Sequence, residues 1–498
     1  MQTTTSAIRL NNQSRSIFIL LLIISTYFFY EEGYGINTLA ATFIYLIAGH
    51  ILFRQQWLNL SSLILQLLWL LLAFQIAYSG HIESVVIWYI TGFSLAVVSQ
   101  VKHASPLFSQ IQFVYSLTLK PMLRFIRPLI GVLDVDNKKP KDAEESPKTK
   151  DPKWIGTFII ALILLIFILL YRGANPIFDK TINLINLDFL KPPLFGFILI
   201  VAMILYTWVD LLPLKPLSKW QNSIHKESQN VSYLWSFLTV GTEFFTAKWL
   251  FLMLNIIVLV VNLGDVLFLI KGKILPGGLT YAEYVHDGVG ALIFSICLAV
   301  LLIIYFFRKT ERIIPKTLVI LVVVFLFQNL MMLIFTAYRN TLYIEEFSIT
   351  YKRLGVYLYL LMALSGILFT IYKLLNDKGL PWLVNKVDWA IFIPLAIFFI
   401  INWTPVITHY NITKSKGSLK NVDWYYLIAI GPTNTLKLSS YQSYFDEYSL
   451  YIFNLKTKNL QDGLEDKTWK SKTLYECKYD EKIRNVSVAY QGKKYYQF

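Results

Sequence analysis

The chain has 498 residues, 55% of them hydrophobic and only 15% charged, with a mean hydropathy of +0.51 and a formal net charge of +15. Soluble domains carry about 25% charged residues, so an ordinary soluble fold is excluded. The positive balance fits Lys and Arg gathered in cytoplasmic loops better than a nucleic-acid surface. Two cysteines, Cys297 and Cys477, exclude a disulfide framework, and no CxxC or metal-ligand spacing exists.

The expected fold class is an all-α polytopic membrane bundle of about eleven transmembrane helices, followed by a small, mostly β extramembrane domain. Helices are expected because lipid offers the backbone no hydrogen-bond partners. The apolar runs fall at about 17–30, 36–53, 60–78, 84–101, 154–171, 193–213, 249–270, 288–307, 317–337, 354–375 and 388–403. The first resembles a signal peptide, but STYFFYEEGYG lacks an A-x-A-like site and another apolar run follows at once, so an uncleaved span is expected. Residues 1–105 then form a four-span unit.

In the segment 106–153, PLFSQIQFVYSLTLKPMLRFIRPLIGV mixes apolar residues with Lys120, Arg124 and Arg127. This composition predicts an interfacial helix over 106–131 with its cations near anionic lipid. DVDNKKPKDAEESPKTKDPK, 134–153, is too polar to bury a core and reads as a flexible linker. Residues 154–403 then form a seven-span core. With the N-terminus inside, alternation places twenty-four Lys and Arg in inner segments and eight in outer loops. That bias predicts a cytoplasmic (inner) membrane protein with N-terminus in and C-terminus out.

Polar residues inside such runs are candidate functional positions. Asn255, Asn262 and Asp265 are spaced seven and three apart, on one helical stripe, and Gln328 and Asn329 sit in a later run. Interhelical hydrogen bonding in a packed bundle explains such residues as readily as a polar pathway. Asp210 and Asp265 raise the idea of an intramembrane aspartyl protease. The threading sets them roughly 20 Å apart in height, which excludes a dyad.

The stretch LPGGLTYAEYVHDG, Leu275 to Gly288, follows. Leu-Pro-Gly-Gly turns the chain, and Thr280 with Glu283 fits a capping box. Tyr281 and Tyr284 suit a membrane interface. Capping explains His286 and Asp287 less well, because Asp287 shares a face with Glu283 four residues earlier. A second outer stretch, TAYRNTLYIEEFSITYKRLGVY, supplies Arg339, Glu345, Glu346, Lys352 and Arg353. The expectation is an outer polar cluster of Asp265, Glu283, His286, Asp287, Arg339, Glu345 and Arg353.

The same two stretches carry a resemblance. LPGGLTYAEYVHDG is similar to the L-P-x-G-x-T-Y-A-E-Y signature of a bacterial membrane family, domain-of-unknown-function family four-one-seven-three, akin to four-one-five-three. YIEEFSITYKRL resembles its Y-x-E-x-x-x-x-T-x-x-R-L stretch, through Tyr343, Glu345, Thr350, Arg353 and Leu354. ITHYNITKS, with Tyr410 and Asn411, is similar to its R-Y-N segment. Val285-His286-Asp287 departs from the more basic residues of that position. The resemblance covers roughly 150–440 and implies a multi-span bacterial membrane protein, with no activity, cofactor or catalytic residue attached.

In the tail, 404–498, SLYIFNLKTKNL, TLYECKYD and VSVAY-QGKK-YYQF alternate or are rich in Tyr and Val. They predict a β domain over about 440–498 ending in a hairpin. No HExxH, GxSxG, P-loop or complete dinucleotide fingerprint is present, so no cofactor, metal site or catalytic residue is expected. The best functional expectation is a transporter or channel-like bundle. A non-enzymatic envelope or signalling scaffold using the outer domain is the alternative, and an enzyme acting on lipid or glycan comes third.

Overall fold

The computed structural model describes residues 12–133, 192–225, 240–270, 315–376, 378–415 and 418–486, with scattered positions between 295 and 307. They divide into two compact units. The expected linker at 134–153, the apolar run 154–171, the Leu275–Gly288 stretch and the expected hairpin from 487 lie outside the described residues.

The first unit, residues 1–31 and 114–212, holds α1 (Asn12–Phe29), the later part of α5 (Pro106–Leu133) and α6 (Pro192–Val209). Phe18 meets Tyr206 edge-on at 6.2 Å and Tyr30 meets Phe197 at 5.5 Å. Rising numbers on α1 thus face falling numbers on α6, so the two helices are antiparallel. Ser116 Oγ accepts the Leu212 amide at 2.8 Å where the chain leaves α6.

The second unit, residues 32–113 and 213–498, contains the remaining helices. Its N-terminal part is α2 (Ile36–Trp57), α3 (Leu60–Ser79) and α4 (Ile82–Val98). Their core is aromatic. Tyr45 stacks on Trp69 at 5.9 Å, and Trp69 on Trp88 at 5.6 Å. Such pairs contribute about 0.5–1.5 kcal/mol each beyond the area they bury. The Trp88 indole donates to Thr42 Oγ1 at 2.9 Å, so its N–H is satisfied in the core. α5 begins where both Asp388 carboxylate oxygens accept the Leu107 and Phe108 amides, at 3.0 and 3.2 Å. A carboxylate there answers orphan amides and the positive end of the helix dipole.

After the short α7 (Lys215–Asn222) come four long helices: α8 (Val240–Ile270), α9 (Lys316–Phe347), α10 (Tyr351–Leu375) and α11 (Leu380–Ile400). α8, α9 and α10 bury matching stripes. Ala247, Phe251 and Val258 of α8 pack with Val322, Phe325 and Leu333 of α9 and with Ala363 and Ile367 of α10.

Six described helices are long and apolar enough to cross a membrane: α2, α3, α8, α9, α10 and α11. The expected eleven is therefore corrected to six among the described residues. Of the other apolar runs, 12–29, 82–98 and 192–209 carry only shorter apolar stretches. The turn at Gly80 (φ +67) ends α3 and leaves α4 with 17 residues.

The tail corrects the expectation again. No strand occurs among the described residues, and 440–486 is helical. α12 (Trp403–Lys414), α13 (Trp424–Ala429), α14 (Thr435–Leu438), α15 (Glu447–Asp466) and α16 (Leu474–Arg484) form a cap. α15 buries Ser449, Phe453, Thr457 and Leu464, a helical rather than a two-residue period. Asp446 caps it by accepting the Ser449 amide. Thr473 and Glu476 cap α16 reciprocally, the Thr473 amide donating to Glu476 Oε2 at 2.7 Å and Thr473 Oγ1 accepting from the Glu476 amide at 3.1 Å.

This cap sits on six helix ends. The Ile36 and Asn37 amides, which open α2, donate to Lys472 and Lys470 carbonyls, both at 3.0 Å. Tyr78 near the end of α3 meets Tyr475 at 6.3 Å, and Gly431 packs by His81, just before α4. The Asn411 side chain bonds both backbone groups of Ile349 after α9. Tyr351, opening α10, donates its amide to Tyr426 Oη at 2.8 Å, and Trp403 after α11 reaches back to Phe398. Glu32 fastens the same corner. Its carboxylate accepts from Ser471 Oγ, from Thr468 Oγ1 at 2.7 Å and from Lys470 Nζ at 3.1 Å. Burial pulls this carboxyl up, but those three donors outweigh it and hold it below the usual range.

Candidate functional site

One face of α8 carries a continuous buried row: Glu243, Ala247, Phe251, Asn255, Val258, Asn262 and Asp265. Steps of three and four keep it on a single side of the helix. From Glu243 to Asp265 the row rises about 33 Å, close to the thickness of a hydrocarbon core.

The polar members meet α9. Asn255 Nδ2 donates to its own helix at Phe251 O (2.7 Å) and across to Leu321 O (2.9 Å), while its oxygen accepts Gln328 Nε2 at 2.7 Å. Asn262 Nδ2 donates to Gln328 O at 3.1 Å. Residues 255 and 262 thus face 321 and 328, and the constant offset makes α8 and α9 parallel. Further along, Arg339 pairs with Asp265, with side chains 14% and 7% exposed. A pair so far from water is held tightly, because leaving one member alone costs several kcal/mol.

The nitrogen of each amide is engaged while oxygens remain. Asn329 Nδ2 bonds Phe325 O at 2.7 Å, and Asn340 Nδ2 bonds Arg353 O at 3.0 Å. The buried oxygens Asn262 Oδ1, Gln328 Oε1, Asn329 Oδ1 and Asn340 Oδ1 find no donor. Asn340 faces α10 and Asn329 bonds its own helix, so within the α8–α9 seam the unspent acceptors are Asn262 Oδ1 and Gln328 Oε1, which suit a cation or a proton donor and not an anion.

The other residues of the expected cluster are distributed differently. Glu283, His286 and Asp287 lie outside the described residues. Arg353 does not join Asp265. Its guanidinium bonds the Phe347 and Ser348 carbonyls and lies 4.0 Å over the Tyr343 ring. It caps the end of α9, where Ser348 has φ +69. Glu345 is exposed, and its carbonyl accepts the Lys414 ammonium. Among the described members of the expected cluster, only Asp265 and Arg339 come together. The Lys120, Arg124 and Arg127 side chains are also outside the described residues.

Sequence reasoning missed Glu243, Lys373 and Asp388, all buried. Lys373, in the last turn of α10, donates to Phe307 O at 3.1 Å. Extending the Asn255–Asp265 row backward in steps of four would have reached Glu243. Among the described residues no three His, Cys, Asp or Glu side chains group as a metal site.

Long apolar helices stitched by a buried polar seam define a helical membrane protein. The chain belongs to the family described as Domain of unknown function (DUF4153), which matches residues 40–441. The match begins within α2, well before the 150–440 covered by the sequence resemblance. It falls on the family there named second. Neither a curated protein nor a solved structure matches the chain.

Proposed function

We propose that the chain is a multi-pass protein of the bacterial cytoplasmic membrane, cap side out, that moves a monovalent cation or proton along the α8–α9 seam. The unspent acceptor oxygens Asn262 Oδ1 and Gln328 Oε1 beside Asp265 carry this reading, since neutral oxygens can replace the hydration shell of a cation. Asp265 supplies a negative charge at the cap-side end of the seam. Arg339 holds that charge at rest; an arriving cation takes its place on the carboxylate as the guanidinium swings out to the cap-side surface, so the carboxylate stays paired in both states. The parallel run of α8 and α9 supports threading in one direction through the bilayer. The Lys and Arg bias supports the cap lying outside with the N-terminus in.

The test is ion flux in sealed vesicles containing the purified full chain, with sodium, potassium and proton gradients read separately. Wild type is expected to dissipate at least one gradient, and Asp265→Asn to lose that flux. Flux equal to that of empty vesicles for all three ions overturns the proposal. The second reading, a non-enzymatic envelope scaffold, is favoured by the cap that ties six helix ends together. It predicts loss of function on removing 440–486 from a bundle that conducts nothing.

A further inference from the structure

Two cavities meet at Pro405, and their walls differ in kind. One, of about 790 Å³, is lined by three tyrosines, Tyr78, Tyr475 and Tyr479, with Lys437 and Lys482 and no carboxylate. The other, of about 710 Å³, runs along α12 past Val406, His409 and Tyr410, and its wall is almost wholly carbon, with Glu345 and Lys414 at its polar margin. Lys437 Nζ lies 3.0 Å from His409 Nδ1, so a cationic wall of the first cavity stands directly against a wall of the second. Both volumes fall within the range of small-molecule sites, about 300–1,000 Å³.

The tyrosine rings form a run: Tyr78 to Tyr475 at 6.3 Å edge-on, then Tyr475 to Tyr479 at 5.0 Å. Lys478 and Lys482 reach over Tyr479, at 5.2 and 6.0 Å from its ring centre. Burial above all pushes the Tyr475 hydroxyl up to about 12, so it stays a neutral donor at any physiological pH. Tyr78 lies in the last turn of α3, and Pro405 stands soon after the end of α11. Both helices are long and apolar enough to cross a membrane. The paired cavities therefore open at the level where such helices leave the hydrocarbon and headgroups begin.

We propose that these adjoining cavities are one bipartite site for an anionic phospholipid: its phosphate lies in the tyrosine- and lysine-lined cleft, and an acyl chain lies in the apolar groove along α12. A phosphate calls for hydrogen-bond donors and cations without competing carboxylates, which the cleft supplies. A free phosphate has no use for the carbon-walled groove, and a neutral lipid has none for the lysines. The site is separate from the α8–α9 seam and stands or falls without it.

The experiment titrates short-chain phosphatidylglycerol onto the detergent-solubilised full chain, with short-chain phosphatidylcholine and glycerol phosphate as comparators. Binding is read as a rise in melting temperature and by intrinsic fluorescence. Phosphatidylglycerol is expected to bind well ahead of both comparators. The double variant Lys437→Gln/Lys482→Gln is expected to weaken it about tenfold, with phosphatidylcholine unaffected. Val406→Trp fills the groove from an exposed position. It is expected to weaken phosphatidylglycerol while leaving the lipid-free melting temperature unchanged. Equal binding of the two lipids, glycerol phosphate as tight as phosphatidylglycerol, or no effect of either variant overturns the proposal.

Discussion

Replacing Gly35 with alanine tests how the cap is fastened. An alanine Cβ at this position would stand 2.4 Å from the Lys472 carbonyl oxygen and 2.7 Å from the Ser471 carbonyl group. Both obstacles are backbone, so no rotamer change relieves the clash and the 470–472 segment must move away from the start of α2. Movement breaks the Ile36 N–H to Lys472 and Asn37 N–H to Lys470 bonds. At about 1 kcal/mol net each, the loss is about 2 kcal/mol, with unfolded-state entropy returning about 0.4–1 kcal/mol for a Gly→Ala change. A net local loss of about 1–1.6 kcal/mol speeds amide exchange at Ile36 and Asn37 by about 5–15-fold. Gly33 is the internal control. Its added Cβ would meet only the Ser471 side chain, at 3.6 Å, so Gly33→Ala should leave exchange unchanged. The assay is hydrogen exchange with peptide-level readout over 32–40 and 466–476. If Gly35→Ala exchanges like Gly33→Ala at both places, the close backbone approach does not hold the cap and the reasoning fails.

Two further outcomes can be measured on the cap. Burial pushes the Lys456 ammonium down to about 7, although it caps the Ile428 and Gly431 carbonyls and reaches Asn434. Between about 7 and 10.5 the unfolded chain holds a proton the folded one lacks, so this group makes stability rise with pH through that window and adds no slope below it. Melting temperatures from pH 6 to 10 should show that slope in wild type and lose it in Lys456→Met. Thr473→Ala removes the acceptor for the Glu476 amide and should cost about 1 kcal/mol, seen as a lower melting temperature that Thr473→Ser restores.

Much of the bundle was legible in the sequence, because burial there follows simple periods. The Asn255, Asn262 and Asp265 row is one helical face, and its partner Arg339 stood in the stretch read as lying on the same side. Arg353 was misplaced because a cation near a helix end satisfies carbonyls as readily as a carboxylate. The tail misled because Tyr and Val richness favours strands only where a sheet exists to receive it. The deciding signals were local. Thr473-x-x-Glu476 is the same capping box that was recognised at Thr280-x-x-Glu283. Asp388 capping α5 was beyond sequence reasoning, since its partners lie about 280 residues away.

The joint between the start of α2 and residues 470–472 also sets an order of events in time. At about 5–20 residues per second of synthesis, more than 400 residues separate the two halves by roughly 20–90 seconds. Throughout that interval the amides of Ile36 and Asn37 must rely on solvent or a temporary companion. A chain cut short before residue 470 therefore never gains the backbone partners that close the start of its second helix.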